Sequence, residues 1–169
     1  MRRSLAVPLL ALALGLAAAN APAQVAPLDP DWKELDAPPP PALRTQGLIP
    51  LELRGSTLNF GVDPASVTLG SDGVVRYVVV AASPGGAVNA MYEGLRCTTG
   101  DVKVYARHSP DSGWVPVRGA DWLPLHDRAQ ARHSLLIART GACVGRGANR
   151  SAQQIVRDLG SSVDRRFVN

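Results

Sequence analysis

From Val74 to Ala82 the chain reads VVRYVVVAA, a run of β-branched and aromatic residues that strongly favours extended backbone. Pro84-Gly85 then turns the chain into a second run, Ala87 to Cys97, and Thr98-Thr99-Gly100 turns it into a third, Asp101 to His108. Runs joined by such short turns pair as neighbours, which makes an antiparallel meander the organising unit. A turn flanked by Ser83 and Gly86 sets Arg76 opposite Glu93, and one flanked by Cys97 and Asp101 sets Glu93 opposite Tyr105. Side chains alternate across a sheet, so this register predicts two faces. Val75, Tyr77, Val79, Val88, Ala90, Tyr92, Val102, Val104 and Ala106 form the core, and Arg76, Met91, Glu93, Lys103, Tyr105 and Arg107 lie opposite.

A fourth strand, Trp114 to Arg118, follows the turn at Ser109–Gly113. The segment from Ala129 to Thr140 suits a short helix or a further strand equally. The last element is a helix: Ser151 with Gln154 forms a capping box, Ile155, Val156 and Leu159 form its apolar stripe, and Gly160 stands at its end. The predicted fold is α+β, an antiparallel meander sheet packed by a C-terminal helix.

The N-terminus has a secretory plan: Arg2 and Arg3, an apolar core from Leu5 to Ala19, and small residues at Ala21-Pro22-Ala23. Residues 1–23 are read as a Sec-type signal peptide cut before Gln24, residues 24–47 as a leader, and residues 48–169 as one globular domain. Beyond that signal no apolar stretch has the roughly 20 residues that a membrane-spanning helix needs. Pro38–Pro41 holds part of the leader in extended polyproline geometry, and Trp32 is placed to pin it to the domain. Export into an oxidising compartment and an even cysteine count predict a disulfide between Cys97 and Cys143. Charge is uneven: residues 24–93 carry 4 basic and 8 acidic side chains, residues 94–169 carry 12 and 6.

No catalytic signature stands out. His126 and His133, seven residues apart, share one face if residues 126 to 133 are helical, but they lack the third ligand at short spacing that zinc requires. No G-x-S-x-G is present, and Gly145-Arg146-Gly147 lacks the Lys and hydroxyl residue of a phosphate loop. The absence of CxxC argues against thiol–disulfide exchange. No cofactor or metal is expected. The best local candidate for binding is the face carrying Arg76, Glu93, Lys103, Tyr105 and Arg107, where three cations around an aromatic ring suit a carboxylate or phosphate. The alternative is the solvated face of a one-sided sheet.

Several segments resemble one bacterial family: Val62-Asp63, Gly70–Tyr77, Met91–Cys97, Trp114-Val115-Pro116 and Trp122, with Tyr92-Glu93-Gly94-Leu95-Arg96-Cys97 the most specific. The chain is similar to the CNP-one-like family of uncharacterised exported proteins, over most of residues 24–169. The resemblance implies a small single-domain envelope protein and carries over no reaction, cofactor or catalytic residue. The sequence-level expectation is a periplasmic or secreted, non-enzymatic binding or assembly factor. Its partner would be an anionic envelope component or an envelope protein, with no nucleic acid involved. The rival expectation is a small hydrolase using His108 or His126 as base.

Overall fold

The computed structural model describes residues 29–126 and 132–161. The expected signal peptide and its expected cleavage point lie outside the described residues. The antiparallel sheet and C-terminal helix are present, as are the expected Cys97–Cys143 disulfide and the strap formed by the leader. In chain order the strands are β1 (Ile49–Leu51), β2 (Asn59–Val62), β3 (Thr68–Leu69), β4 (Val74–Ala82), β5 (Val88–Arg96), β6 (Asp101–Ser109), β7 (Gly113–Pro116) and β8 (Leu123–Pro124). The sheet order is β1-β2-β4-β5-β6-β7, with β3 pairing β4 and β8 pairing β6. Next come α1 (Arg132–Ile137), one π turn (Ala138–Ala142), the small hairpin β9 (Cys143–Val144) and β10 (Gly147–Ala148), and α2 (Ala152–Leu159). The ambiguous segment from Ala129 to Thr140 is therefore helical where it is described.

The expected register between β4 and β5 is wrong by one residue. Glu93 pairs with Tyr77, and Arg76 pairs with Gly94. The turn has three residues, Pro84-Gly85-Gly86: the Ser83 amide donates to the Ala87 carbonyl at 2.9 Å, and Gly86 takes φ +88°. A three-residue turn ending in a left-handed glycine is a standard hairpin closure. One extra turn residue moves every side chain of β5 to the other face relative to β4. Between β5 and β6 the expected register holds at Met91↔Arg107 and Tyr92↔Ala106, then a bulge shifts it so that Glu93 pairs with Val104. Tyr105 is the extra residue, left without an opposite partner.

These corrections redistribute the two faces, and both are covered. On one, Val75, Tyr77, Val79, Leu95 and Val102 pack with Ile137, Ala142, Ile155 and Leu159 of the helical layer. On the other, Val78, Val80, Ala90, Tyr92 and Ala106 pack beneath Ala37, Leu43, Leu48 and Trp114. The expected core set was thus a mixture of two cores. In the fourth strand, β7, Val115 is 47% exposed.

The helical layer is held in three ways. The Ser151 hydroxyl caps α2 by accepting from the Gln154 amide at 3.1 Å, satisfying one of the helix's free donors. Gly141 brings the π turn against α2 so closely that a Cβ there would lie 2.8 Å from the Leu159 backbone nitrogen. The disulfide ties β9 to the residue after β5. Among the described residues no helix is long and apolar enough to cross a membrane.

Candidate functional site

The expected binding face divides three to two. Arg76, Lys103 and Tyr105 lie under the leader, whereas Glu93 and Arg107 open onto the helix side of the sheet.

On the leader side the cationic cluster already holds a carboxylate, supplied by the chain itself. Glu34 accepts hydrogen bonds from Lys103 Nζ at 2.9 Å, the Tyr105 hydroxyl at 2.8 Å and Trp122 Nε1 at 3.0 Å. Burial acts to raise the Glu34 pKa, and these donors with the Lys103 charge outweigh it, leaving the carboxyl below its ordinary value. Arg76 donates to both oxygens of Asp72 and to the Leu35 carbonyl, and Asp72 Oδ2 accepts from the Leu35 amide at 3.0 Å. Desolvation of Asp72 is likewise outweighed, chiefly by Arg76, so its pKa is lowered as well. Trp32 Nε1 donates to the Asp72 carbonyl at 2.8 Å, and the Arg96 guanidinium lies 3.6 Å from the Trp32 ring centroid, a cation–π contact. The Tyr105 hydroxyl is pushed well above its usual range by burial and by donating to Glu34. Arg76, Lys103 and Tyr105, the groups of the expected anion site on this side, are thus each engaged by the strap.

On the opposite side Glu93 is buried, with three donors converging on it. Oε2 accepts from the Tyr77 hydroxyl at 2.8 Å and the Ser134 hydroxyl at 2.9 Å, and Oε1 lies 2.9 Å from His133 Nε2. Burial, then the Glu93 charge, push the Tyr77 hydroxyl well above its usual pKa, which keeps it a donor. His133 stacks on Phe60 at 5.3 Å with the rings nearly parallel. Register explains the cluster: Glu93 stands opposite Tyr77, and α1 begins directly over that pair with His133 and Ser134 facing the sheet.

Beside this cluster the described residues leave part of the sheet uncovered, forming a cleft of about 430 Å³. Phe60, Met91, Val102, Val104 and Leu123 form apolar walls, Glu93, His133 and Ser134 are the inner polar groups, and Arg107 with His108 comes from the far end of β6. Arg107 is exposed and forms no ion pair among the described residues. His108 sets its ring edge-on to Trp114 at 5.2 Å, and His126 is exposed and outside the cleft lining.

Serine, histidine and a carboxylate therefore meet here, but their order is not that of a nucleophilic relay. The Ser134 hydroxyl donates its hydrogen bond to Glu93 and makes none to His133, whereas a triad needs the nucleophile's hydroxyl to donate to the histidine base. Among the described residues no three His, Cys, Asp or Glu side chains come together as metal ligands. Sequence reasoning considered His133 only with His126, as a metal pair or a solvated surface pair, whereas His133 is buried against Glu93, and it missed Ser134. The available signal was the spacing of His133 four residues before Ile137, which places both on one helix face.

A model of the CNP1-like family matches residues 28–160. No curated protein and no solved structure matches the chain. The family match spans the leader strap, the whole sheet and α2, and the chain belongs to the CNP1-like family.

Proposed function

We propose that this CNP1-like protein is an exported, non-enzymatic binding or assembly factor of the cell envelope that holds a small ligand in the cleft between β5, β6 and α1. Export rests on the N-terminal secretory plan, with Sec-type passage to the periplasm or beyond and loss of residues 1–23. The observation that carries the binding role is the cleft itself: apolar walls, a few convergent polar groups and a volume within the range of about 300–1,000 Å³ typical of small-molecule sites. The leader-side part of the charged face proposed from sequence is a weaker candidate, because Glu34 occupies Lys103 and Tyr105.

The hydrolase alternative keeps one supporting observation, the presence of His108 in the cleft lining. A panel of ester, amide and phosphoester substrates, assayed with the wild-type protein and with His108→Ala and His126→Ala, separates the two. The binding role predicts no turnover in any of the three. Turnover that disappears with either histidine would establish the hydrolase instead.

A further inference from the structure

The geometry points to a ligand of defined class in this cleft: a medium-chain carboxylate, with its alkyl tail along Phe60, Met91, Val102, Val104 and Leu123 and its head group on Arg107. This deepens the binding role proposed above and rests on it.

Charge sets the orientation. Glu93 in the cleft lining is itself an acid whose oxygens are already held by Tyr77, Ser134 and His133, so it offers an incoming anion no attraction. Tyr77 and Ser134 have no spare donor either, since each hydroxyl proton is committed to Glu93. Along the sheet from Glu93, opposite Met91, the cleft presents Arg107, an exposed cation with no ion-pair partner among the described residues. An amphiphile entering the cleft places its negative group on Arg107 and its apolar part along the apolar walls. A single guanidinium favours a carboxylate, whose planar fork it meets with two parallel hydrogen bonds. A phosphate monoester, with between one and two negative charges at neutral pH, calls for more than one cation.

Calorimetric titration of the mature protein with decanoate, decyl phosphate, decanol and decylammonium tests this. Arg107→Gln and Leu58→Trp serve as variants, because both positions are exposed and line the cleft, and circular dichroism verifies their folding. Decanoate is expected to bind at least tenfold more tightly than the other three. Arg107→Gln should remove that preference while leaving decanol unchanged, and Leu58→Trp should weaken every ligand by narrowing the cleft. Equal binding of decylammonium, or no effect of Arg107→Gln, overturns the anionic head group and leaves the cleft as a binding site. Tighter binding of decyl phosphate replaces the carboxylate with a phosphate. Decanoate binding that Leu58→Trp does not disturb places the site elsewhere and overturns the proposal. Failure of all four to bind removes this proposal together with the cleft's role in binding amphiphiles.

Discussion

The two faces of one sheet have been closed by different means. The leader face is covered by a segment lacking regular secondary structure, held by side chains that reach across: Trp32, Glu34 and Leu35 meet Asp72, Arg76, Lys103, Tyr105 and Trp122. The helix face is covered by regular elements pinned by a disulfide and a close glycine contact, and among the described residues that cover leaves the cleft open. A strap without regular secondary structure can follow the sheet and meet its polar groups one by one, whereas a layer of regular helices fills only what its shape allows. The contrast teaches that a charged, aromatic-rich face can be an internal docking surface, while the incompletely covered face keeps room for a ligand.

The largest expected effect tests the rigid side. Cys97→Ser should lower stability by about 4 kcal/mol, the chain-entropy figure for a loop of this length and an upper estimate. Thermal unfolding in oxidising buffer measures it, and an unchanged melting temperature would remove the disulfide as the pin of the helical layer. Next, Glu93→Ala strands the Tyr77 and Ser134 hydroxyls and His133 Nε2 in the interior, and should destabilise by about 3 kcal/mol. Denaturant titration reads this directly, and a loss below about 1 kcal/mol would show that the cluster rearranges without penalty.

The strap side should respond less to mutation and more to acid. Glu34→Gln is expected to cost about 1 kcal/mol, in line with the net value of hydrogen bonds to a charged, partly exposed group. Glu34 and Asp72 both have folded pKa values below their ordinary ones. Their contribution is therefore complete above the ordinary carboxylate range, near pH 4, and is lost as pH falls through the depressed folded values. All three tryptophans touch this strap: Trp32 lies within it, Trp114 Nε1 donates to the Pro41 carbonyl, and Trp122 Nε1 to Glu34. Intrinsic fluorescence should therefore change on acidification before the far-ultraviolet circular dichroism does. Simultaneous loss of both signals would mean that the faces unfold as one unit and that the distinction has no energetic content.

Much of this fold was legible in the sequence, because strands, turns and the helix cap are set by local chemistry. VVRYVVVAA, the glycine-bearing turns and Ser151 each act within a few residues. The register was not, because Pro84-Gly85 and Pro84-Gly85-Gly86 both make acceptable turns, and choosing between them depends on which face Glu93 enters. The bulge at Tyr105 was hidden for a similar reason: its extra residue is accommodated by Glu34, which lies far away in sequence. Trp32 was visible as a pin since an isolated aromatic in a polar leader has little other use. Glu34 looked like one acid among several, and only the tertiary placement of Lys103 and Trp122 distinguishes it.

The most direct test of the central claim, that ligand binding belongs to the helix face while the leader face is closed by its own strap, is an amide-resolved NMR titration with decanoate. Shifts concentrated at Phe60, Met91, Val104, Arg107 and His133 are predicted, with Trp32, Glu34, Lys103 and Trp122 unmoved. Shifts confined to those four strap-side residues would contradict the account and return binding to the leader face.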